Sequence, residues 1–229
     1  MTILIAGDSW ANPNYYGPPL PPPEKHLQYL LEEQGLDVIN VGANGGSNFG
    51  SMKLVQRWFD GEELTNPYPY NPPVYKDQKI DYIIWFHTSP LRDLGPYEHY
   101  KEDTVLPDTY YMDLNNLIRN TMTNNAKVIA IGGCCALNKA IDRNLFHYYI
   151  DCWKSDIFNV TLPEAKWWGA NNKDILPDPS KEEVDQALVV EQYVNNDFDA
   201  FPDQGHPGEK PHAELSQRLM AEVFQKNDK

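Results

Sequence analysis

Short apolar runs rich in β-branched residues recur along the chain, separated by stretches with helical periodicity. Uninterrupted apolar runs of this length are typical of parallel strands that are covered on both faces. We therefore predict four buried strands, at residues 2–6, 37–41, 81–86 and 127–131. A weaker run at residues 157–162 predicts a fifth strand.

Helical patterns fill the intervals between these strands. They lie at residues 24–34, 48–59 and 110–125, and a final amphipathic helix is predicted at residues 209–226. Regular alternation of strands and helices favours a doubly wound α/β fold. The predicted architecture is a three-layer α/β/α sandwich with a mostly parallel, flavodoxin-like sheet of four to five strands.

Several long segments interrupt this alternation without suggesting a second domain. The chain of 229 residues has the length of one large domain, so residues 1–229 are predicted to form a single unit. The interrupting segments are rich in Pro, Tyr and Asn or in acidic residues, and we interpret them as loop insertions that shape a binding site. They lie near residues 12–23, 61–79, 90–107 and 167–202.

Composition and charge exclude several classes of partner. The hydrophobic fraction of 41% and charged fraction of 23% are ordinary for a globular protein. A net charge of -14 opposes binding to nucleic acid and to anionic membranes, so neither is expected as a partner. The sequence shows neither a signal peptide nor a membrane-spanning run, so we expect a cytoplasmic protein at synthesis.

Two polar fragments near opposite ends of the chain could form one active site. Gly7-Asp8-Ser9 follows the first strand, and Asp203-Gln204-Gly205-His206 precedes the last helix. A serine at a strand end offers a nucleophile, and a carboxylate near a histidine offers a base with its orienting group. Each fragment alone fits a simple turn or a helix cap. The pair requires a fold that brings both to the carboxyl edge of one sheet.

These two fragments resemble the first and last sequence blocks of the SGNH (GDSL-type) hydrolase family, in the family's order. The resemblance implies an esterase in which Ser9 is the nucleophile, His206 its general base and Asp203 the residue that orients the histidine. It also implies that the backbone N–H of Ser9 contributes to the oxyanion hole. The α/β fold predicted from periodicity agrees with the fold of that family.

The family's second block is a glycine whose backbone N–H points into the oxyanion hole. The glycine-rich run at residues 42–48 follows the second predicted strand, and Gly45 is the best match, with Gly46 an alternative. A residue without Cβ lets the backbone approach a tetrahedral intermediate closely. A flexible turn would give the same pattern.

The third block is where the chain departs from the family. The family usually places an Asn after the third strand, whereas this chain continues His87-Thr88-Ser89-Pro90-Leu91-Arg92. This version resembles a divergent branch found in phage-encoded members, which implies a virion-associated or released protein if the gene is phage-borne. Substitute donors for the missing amide are the side chains of Thr88, Ser89, His87 and Asn44.

Other polar or aromatic residues near these blocks are candidates for substrate contacts. Asp8, Trp10, Thr88 and Arg92 are the predicted substrate-binding set. Arg92 could clamp a substrate anion, but an ion pair with Asp93 or another nearby acid is favoured. Trp10 could wall the pocket or pack in the core.

The remaining histidines are assigned no catalytic role. His212 lies in the last helix and is interpreted as structural, and His26, His99 and His147 have no evident partner in the sequence.

The expected activity is hydrolysis of an ester, with a small-molecule or carbohydrate ester such as an O-acetyl group as substrate. No metal or other cofactor is expected, because the chain contains neither an HExxH pattern nor a Cys-x-x-Cys pair. Two alternatives stay open. One is a metal-dependent phosphoesterase with Asp8, Asp203 and His206 as ligands, and the other is a glycan-binding or structural module on the same fold with little or no activity.

Overall fold

The computed structural model describes a parallel sheet and the helices that cover it. The described residues are 1–13, 25–62, 79–88, 90–94, 106–107, 109–133, 136–153 and 207–225. The strands are β1 (Thr2–Ala6), β2 (Asp37–Asn40), β3 (Tyr82–His87), β4 (Lys127–Gly132) and β5 (Tyr148–Ile150). The α-helices are α1 (Leu27–Glu33), α2 (Asn48–Asp60), α3 (Tyr110–Thr121) and α4 (Glu209–Leu219).

The strands form one five-stranded parallel sheet in the order β2-β1-β3-β4-β5. The order reverses between β1 and β3, since the chain first adds β2 on one side of β1 and then β3 on the other. In open α/β sheets, ligands bind beyond the carboxyl ends of the strands at such a switch point. The residues after β1 and β3 therefore occupy the position where this architecture places a binding site.

Alternate residues of each strand point to opposite faces of the sheet, and different helices cover the two faces. Ile3 and Ile5 of β1 pack in a cluster with residues of α1 and α4. Leu4 and Ala6 lie on the other face, in a cluster with residues of α2. Residues of α3 pack against β3 and β4 on that same face. This arrangement confirms the predicted three-layer α/β/α sandwich.

Element boundaries agree with the sequence expectations to within a few residues, with one substantial difference. The fifth strand is Tyr148–Ile150, which pairs with β4, whereas the run predicted at residues 157–162 lies outside the described residues. The last helix ends as an α-helix at Leu219 and continues as a π-helical turn, Met220–Phe224. The four predicted loop insertions fall largely outside the described residues. No helix in the described ranges has the length and hydropathy needed to span a membrane.

The residue that follows β1 is Gly7, because the backbone there approaches β3 too closely to leave room for a side chain. A Cβ at this position would lie 2.7 Å from Phe86 Cβ and 3.0 Å from the Phe86 carbonyl oxygen. The Gly7 φ of 152° is also one that residues with side chains rarely adopt. Glycine thus lets the chain leave the strand and turn immediately into Asp8 and Ser9.

Candidate active site

Ser9 lies in a tight turn at the carboxyl end of β1. The Ala11 N–H donates to the Asp8 carbonyl at 3.0 Å, which makes Ser9 the first central residue of a four-residue turn. The Trp10 N–H donates to Asp8 Oδ1 at 3.0 Å, so the side chain of Asp8 closes a second, smaller ring around the same turn. Ser9 is only 6% exposed. Two hydrogen bonds and burial therefore fix the backbone beside the predicted nucleophile.

A second tight turn, residues 43–46, follows β2 and contacts the first. The Gly46 N–H donates to the Ala43 carbonyl at 2.8 Å, and the Ala43 N–H donates to the Gly7 carbonyl at 3.0 Å. Gly45 has a φ of 69°, which the third position of a type II turn requires. A Cβ on Gly46 would lie 2.8 Å from the Gly7 carbonyl oxygen, so glycine permits this contact.

The two glycines of this turn differ in the use of their backbone N–H groups. The Gly46 N–H is engaged within the turn. Gly45 is exposed, and no residue in the described part of the chain accepts a hydrogen bond from its N–H. Of the two glycines that the sequence left open, Gly45 is therefore the one whose N–H is not engaged within the turn.

Two asparagines connect these turns. The buried Asn40 donates from Nδ2 to the Ala11 carbonyl at 2.7 Å, and its Oδ1 accepts the Gly42 N–H at 2.8 Å. Asn12 Nδ2 donates to Asn44 Oδ1 at 3.1 Å. Side-chain amides thus hold the loops after β1 and β2 in a fixed relation.

Asn48 organises the exit of β3, a role that sequence analysis missed. Its Nδ2 donates to the Thr88 carbonyl at 2.8 Å, and its Oδ1 accepts the Thr88 N–H at 2.9 Å. Both Asn48 and Thr88 are fully buried. The Tyr110 hydroxyl lies 3.3 Å from Asn48 Nδ2 and donates to Asp93 Oδ2 at 2.6 Å. A buried amide at the start of an amphipathic helix was the available signal, because such a group needs partners.

Replacing Asn48 with alanine is expected to lower the free energy of unfolding by about 2–4 kcal/mol. The change removes the two hydrogen bonds that Asn48 makes to the buried backbone of Thr88, and each such loss in a buried position costs about 1–3 kcal/mol. Urea denaturation at neutral pH measures the difference.

Asn115 provides a matched control for this variant. It makes a similar pair of bonds, from Nδ2 to the Ala140 carbonyl at 3.0 Å and from the Asp142 N–H to Oδ1 at 3.1 Å, but in a partly exposed position. Water can replace these bonds, so Asn115→Ala is expected to cost about 1 kcal/mol or less. Equal losses in the two variants would show that burial of the Asn48 contacts does not stabilise the exit of β3.

Arg92 forms an ion pair with Asp8, the residue before Ser9. It lies in a 3₁₀-helical segment, Pro90–Leu94, that follows β3. Arg92 Nη1 donates to Asp8 Oδ2 at 2.9 Å and lies 3.4 Å from the Gly46 carbonyl oxygen. The favoured sequence expectation of an ion pair is met, with Asp8 as partner. Asp93 instead accepts hydrogen bonds from the Tyr110 hydroxyl and the Phe49 N–H.

Buried rings connect the start of α4 to the Ser9 turn. The His26 ring hydrogen-bonds to the Trp10 backbone, and its Nδ1 accepts the Gln28 N–H at the start of α1. The ring centroids of His26 and His212 lie 4.2 Å apart. Trp153 contacts both Trp10, at 5.6 Å between centroids, and His212, at 5.3 Å. His212 is buried in this cluster, and His26, which showed no partner in the sequence, joins α4 to the turn together with Trp153.

Both histidines are held neutral in the folded protein. Burial lowers the pKa of His26 from its ordinary value of 6.5 to about 3, partly opposed by the hydrogen bond to Trp10. Burial, followed by the neighbouring His26, lowers the pKa of His212 well below 6.5. The unfolded chain therefore binds protons near pH 6.5 that the folded chain does not.

The free energy of unfolding is expected to fall as the pH drops from about 6.5 towards 3. Stability from the two neutral rings is fully present above the unfolded pKa of 6.5 and is lost as the unfolded state becomes protonated. Replacing His212 with Phe keeps a ring and removes one titrating group, so this variant should lose less stability over the same range. The pKa of the exposed His147 is also lowered, by partial burial and by Lys127, but less than that of His212, so His147→Gln should change the pH slope less than His212→Phe does. A pH slope in the His212 variant equal to that of the unchanged protein would contradict the assignment.

The structure brings together most of the predicted site residues that it describes. Asp8, Ser9, Gly45 and Arg92 lie at the carboxyl edge of the sheet, on three neighbouring loops that touch one another. Thr88 is buried at the same edge. The three predicted site residues that lie outside the described residues are Ser89, Asp203 and His206.

Burial bears on two of the predicted roles, the contact of Trp10 with substrate and the identity of the third oxyanion donor. The Trp10 side chain is 2% exposed and packs in the core against Trp153, which is the packing alternative for this residue. Among the candidates for the third oxyanion donor, His87 and Thr88 are buried, whereas Asn44 is partly exposed in the same turn as Gly45.

Solved structures with a similar course of the chain include several esterases. One is the psychrotrophic esterase EstA from Pseudoalteromonas, with 14% identity, coverage of 98% of this chain and 97% of that chain, and a TM-score of 0.47. Another is TesA, with 13% identity, coverage of 96% and 97%, and a TM-score of 0.49. A member of the lipolytic G-D-S-L family from Veillonella parvula has 12% identity, coverage of 98% of each chain and a TM-score of 0.42.

A scan against protein-family models found no match, and a search of curated proteins found none either.

Proposed function

We propose that this protein is a serine esterase of the SGNH (GDSL) type, with Ser9 as nucleophile, His206 as general base and Asp203 as the residue that orients it. The observation that carries the proposal is the contact between the start of α4 and the Ser9 turn through His212, His26 and the Trp10 backbone. His206 stands six residues before His212 and three before the first residue of α4. This contact between α4 and the turn supports a site built from both chain ends.

In the proposed reaction, His206 accepts the proton of the Ser9 hydroxyl as Ser9 Oγ attacks the ester carbonyl carbon. The backbone N–H groups of Ser9 and Gly45 stabilise the resulting oxyanion. Collapse of the tetrahedral intermediate expels the alcohol, which takes the proton from His206. Water, activated by the same histidine, then hydrolyses the acyl-enzyme. Asp203 fixes the tautomer of the imidazole and stabilises its protonated form.

The substrate we propose is an uncharged ester of a small polar molecule or a carbohydrate, such as an O-acetyl group. Arg92 already binds Asp8 and lies against the Gly46 carbonyl, so its charge is engaged inside the protein. The net charge of -14 further opposes an anionic substrate. The Tyr- and Asn-rich segments predicted to border the site fit a polar ligand better than a long acyl chain.

The engagement of Asp8 favours this reaction over metal-dependent phosphoester hydrolysis. Its two carboxylate oxygens accept hydrogen bonds from the Trp10 N–H and from Arg92. A cation already paired with the carboxylate weakens its attraction for a second cation. Asp8 is therefore poorly suited to the role of metal ligand.

A fluorophosphonate probe tests the proposal directly, because it forms a covalent bond only with an activated serine. We expect stoichiometric labelling, mapped by peptide mass spectrometry to Ser9, together with hydrolysis of p-nitrophenyl acetate. Absence of labelling and of hydrolysis, combined with binding of a glycan, would instead indicate a binding module on this fold.

A further inference from the structure

We propose that Arg92 is a positioning residue that acts through Asp8, neutralising a buried carboxylate beside the oxyanion hole. The inference rests on the proposed esterase function and assigns Arg92 a role other than substrate binding. Three features carry it, namely the burial of Asp8, the geometry of the ion pair, and the contact of Arg92 with the glycine turn.

Asp8 is an acidic residue in an unusual place. It is 0% exposed and immediately precedes Ser9 in the chain. A buried carboxylate carries a large desolvation cost unless a cation or several donors compensate it. Here Oδ1 accepts the Trp10 N–H at 3.0 Å, which shapes the Ser9 turn, and Oδ2 accepts from Arg92 at 2.9 Å. The Asp8 carboxylate therefore shapes the backbone of the Ser9 turn, and the Arg92 guanidinium balances its charge.

The charge of Asp8 matters because the oxyanion of the tetrahedral intermediate forms next to it during the proposed reaction. Attack by Ser9 places a negative charge on the substrate oxygen, held by N–H groups of Ser9 and Gly45. An uncompensated carboxylate on the neighbouring residue would repel that charge, and because Asp8 is 0% exposed, solvent would screen the repulsion only weakly. Pairing with Arg92 removes the repulsion while keeping the carboxylate oxygen that the Trp10 N–H needs.

Arg92 also connects the three loops of the site. It follows β3, binds Asp8 after β1, and lies 3.4 Å from the Gly46 carbonyl in the turn after β2. The side chain of Arg92 is 14% exposed, so the ion pair is only weakly screened by solvent. The neighbouring Asp93 is bound to Tyr110 and the Phe49 N–H and does not compete for the guanidinium.

The experiment compares Arg92→Met, Asp8→Asn and the double variant, using ester hydrolysis and the rate of fluorophosphonate labelling. Arg92→Met keeps side-chain length and removes the charge. We expect kcat to fall at least tenfold with little change in KM, because the variant weakens stabilisation of the oxyanion and does not remove a contact with the substrate. In the double variant an Asn at position 8 can still accept the Trp10 N–H, and without a buried carboxylate we expect kcat to recover several-fold relative to Arg92→Met.

Arg57→Met is the matched control, since Arg57 pairs with Glu62 at the surface, where both side chains are about half exposed. It should leave kcat unchanged. The inference is overturned if Arg92→Met keeps the original kcat, or if the double variant is no more active than Arg92→Met. A rise in KM without loss of kcat would also overturn it and would indicate direct substrate binding.

These outcomes are separate from failure of the proposed function. If the unchanged protein neither hydrolyses esters nor labels at Ser9, the esterase proposal fails and the role of Arg92 falls with it. If the unchanged protein is active and labelled while the Arg92 variants behave as the original does, only the inference on Arg92 fails.

Discussion

Ser9→Ala is expected to lower kcat for p-nitrophenyl acetate by at least about 10³-fold and to abolish fluorophosphonate labelling. The change removes one oxygen atom from a turn whose backbone is fixed by the Ala11 N–H and Trp10 N–H bonds to Asp8. Neither bond uses the serine hydroxyl, so the turn should persist in the variant, and the melting temperature reports how far stability changes. Initial-rate kinetics, intact-mass labelling and a thermal melt on the same preparation measure the three quantities.

Ser216→Ala is the control for this prediction. It deletes the same oxygen at a buried serine in α4, about two helical turns beyond the start of that helix. It should retain full activity and labelling at Ser9. If Ser9→Ala retains ester hydrolysis at an unchanged melting temperature, the serine esterase proposal is wrong, because the activity then does not depend on Ser9.

His206→Ala is expected to cause a loss of similar size, at least about 10³-fold in kcat, because the serine hydroxyl then has no base to accept its proton. The Ser9→Ala/His206→Ala double variant should be no less active than either single variant, since residues that act as a unit in one step lose their effect together. Steady-state kinetics on the two single variants and the double variant give the comparison. Losses that multiply in the double variant would mean that the two residues do not act in one step.

His147 supplies the histidine control. It is exposed and lies beside Tyr82, the first residue of β3, at the sheet edge opposite to the site. His147→Ala should keep full activity.

Asp203→Asn tests the third residue of the proposed triad. It is expected to reduce kcat strongly while the protein still folds, because the imidazole of His206 loses the group that fixes its tautomer.

The fold was largely predictable from the sequence because its signals are local. The runs that form β1 to β4 each stand in the sequence as apolar segments of strand length, and the helices between them follow from amphipathic periodicity. The fifth strand is only three residues long, Tyr148–Ile150, too short to give a pattern of its own. It forms because β4 offers an edge with which it can pair, and that edge exists only after the sheet has assembled.

Parts of the candidate site were also visible in the sequence, namely the strand end at Ser9 and the glycine-rich turn that holds Gly45. The structure adds that the Gly46 N–H is engaged within this turn, which is why Gly45 is the donor that we propose. The predicted roles of Asp203 and His206 stay predictions, and the kinetics proposed above test them.

By itself, the sequence determined which segments become strands and helices, which strand end carries the serine, and that several polar groups follow strands destined for one sheet. These properties depend on hydrophobic periodicity and turn chemistry within about 20 residues. The tertiary structure alone decided which polar groups meet. Arg92 reaches Asp8 across 84 positions and Asn48 reaches Thr88 across 40, while the His212 ring packs against His26 from the other end of the chain. Such pairs are set by strand order and by the need of buried charges and amides for partners, and no local pattern specifies them.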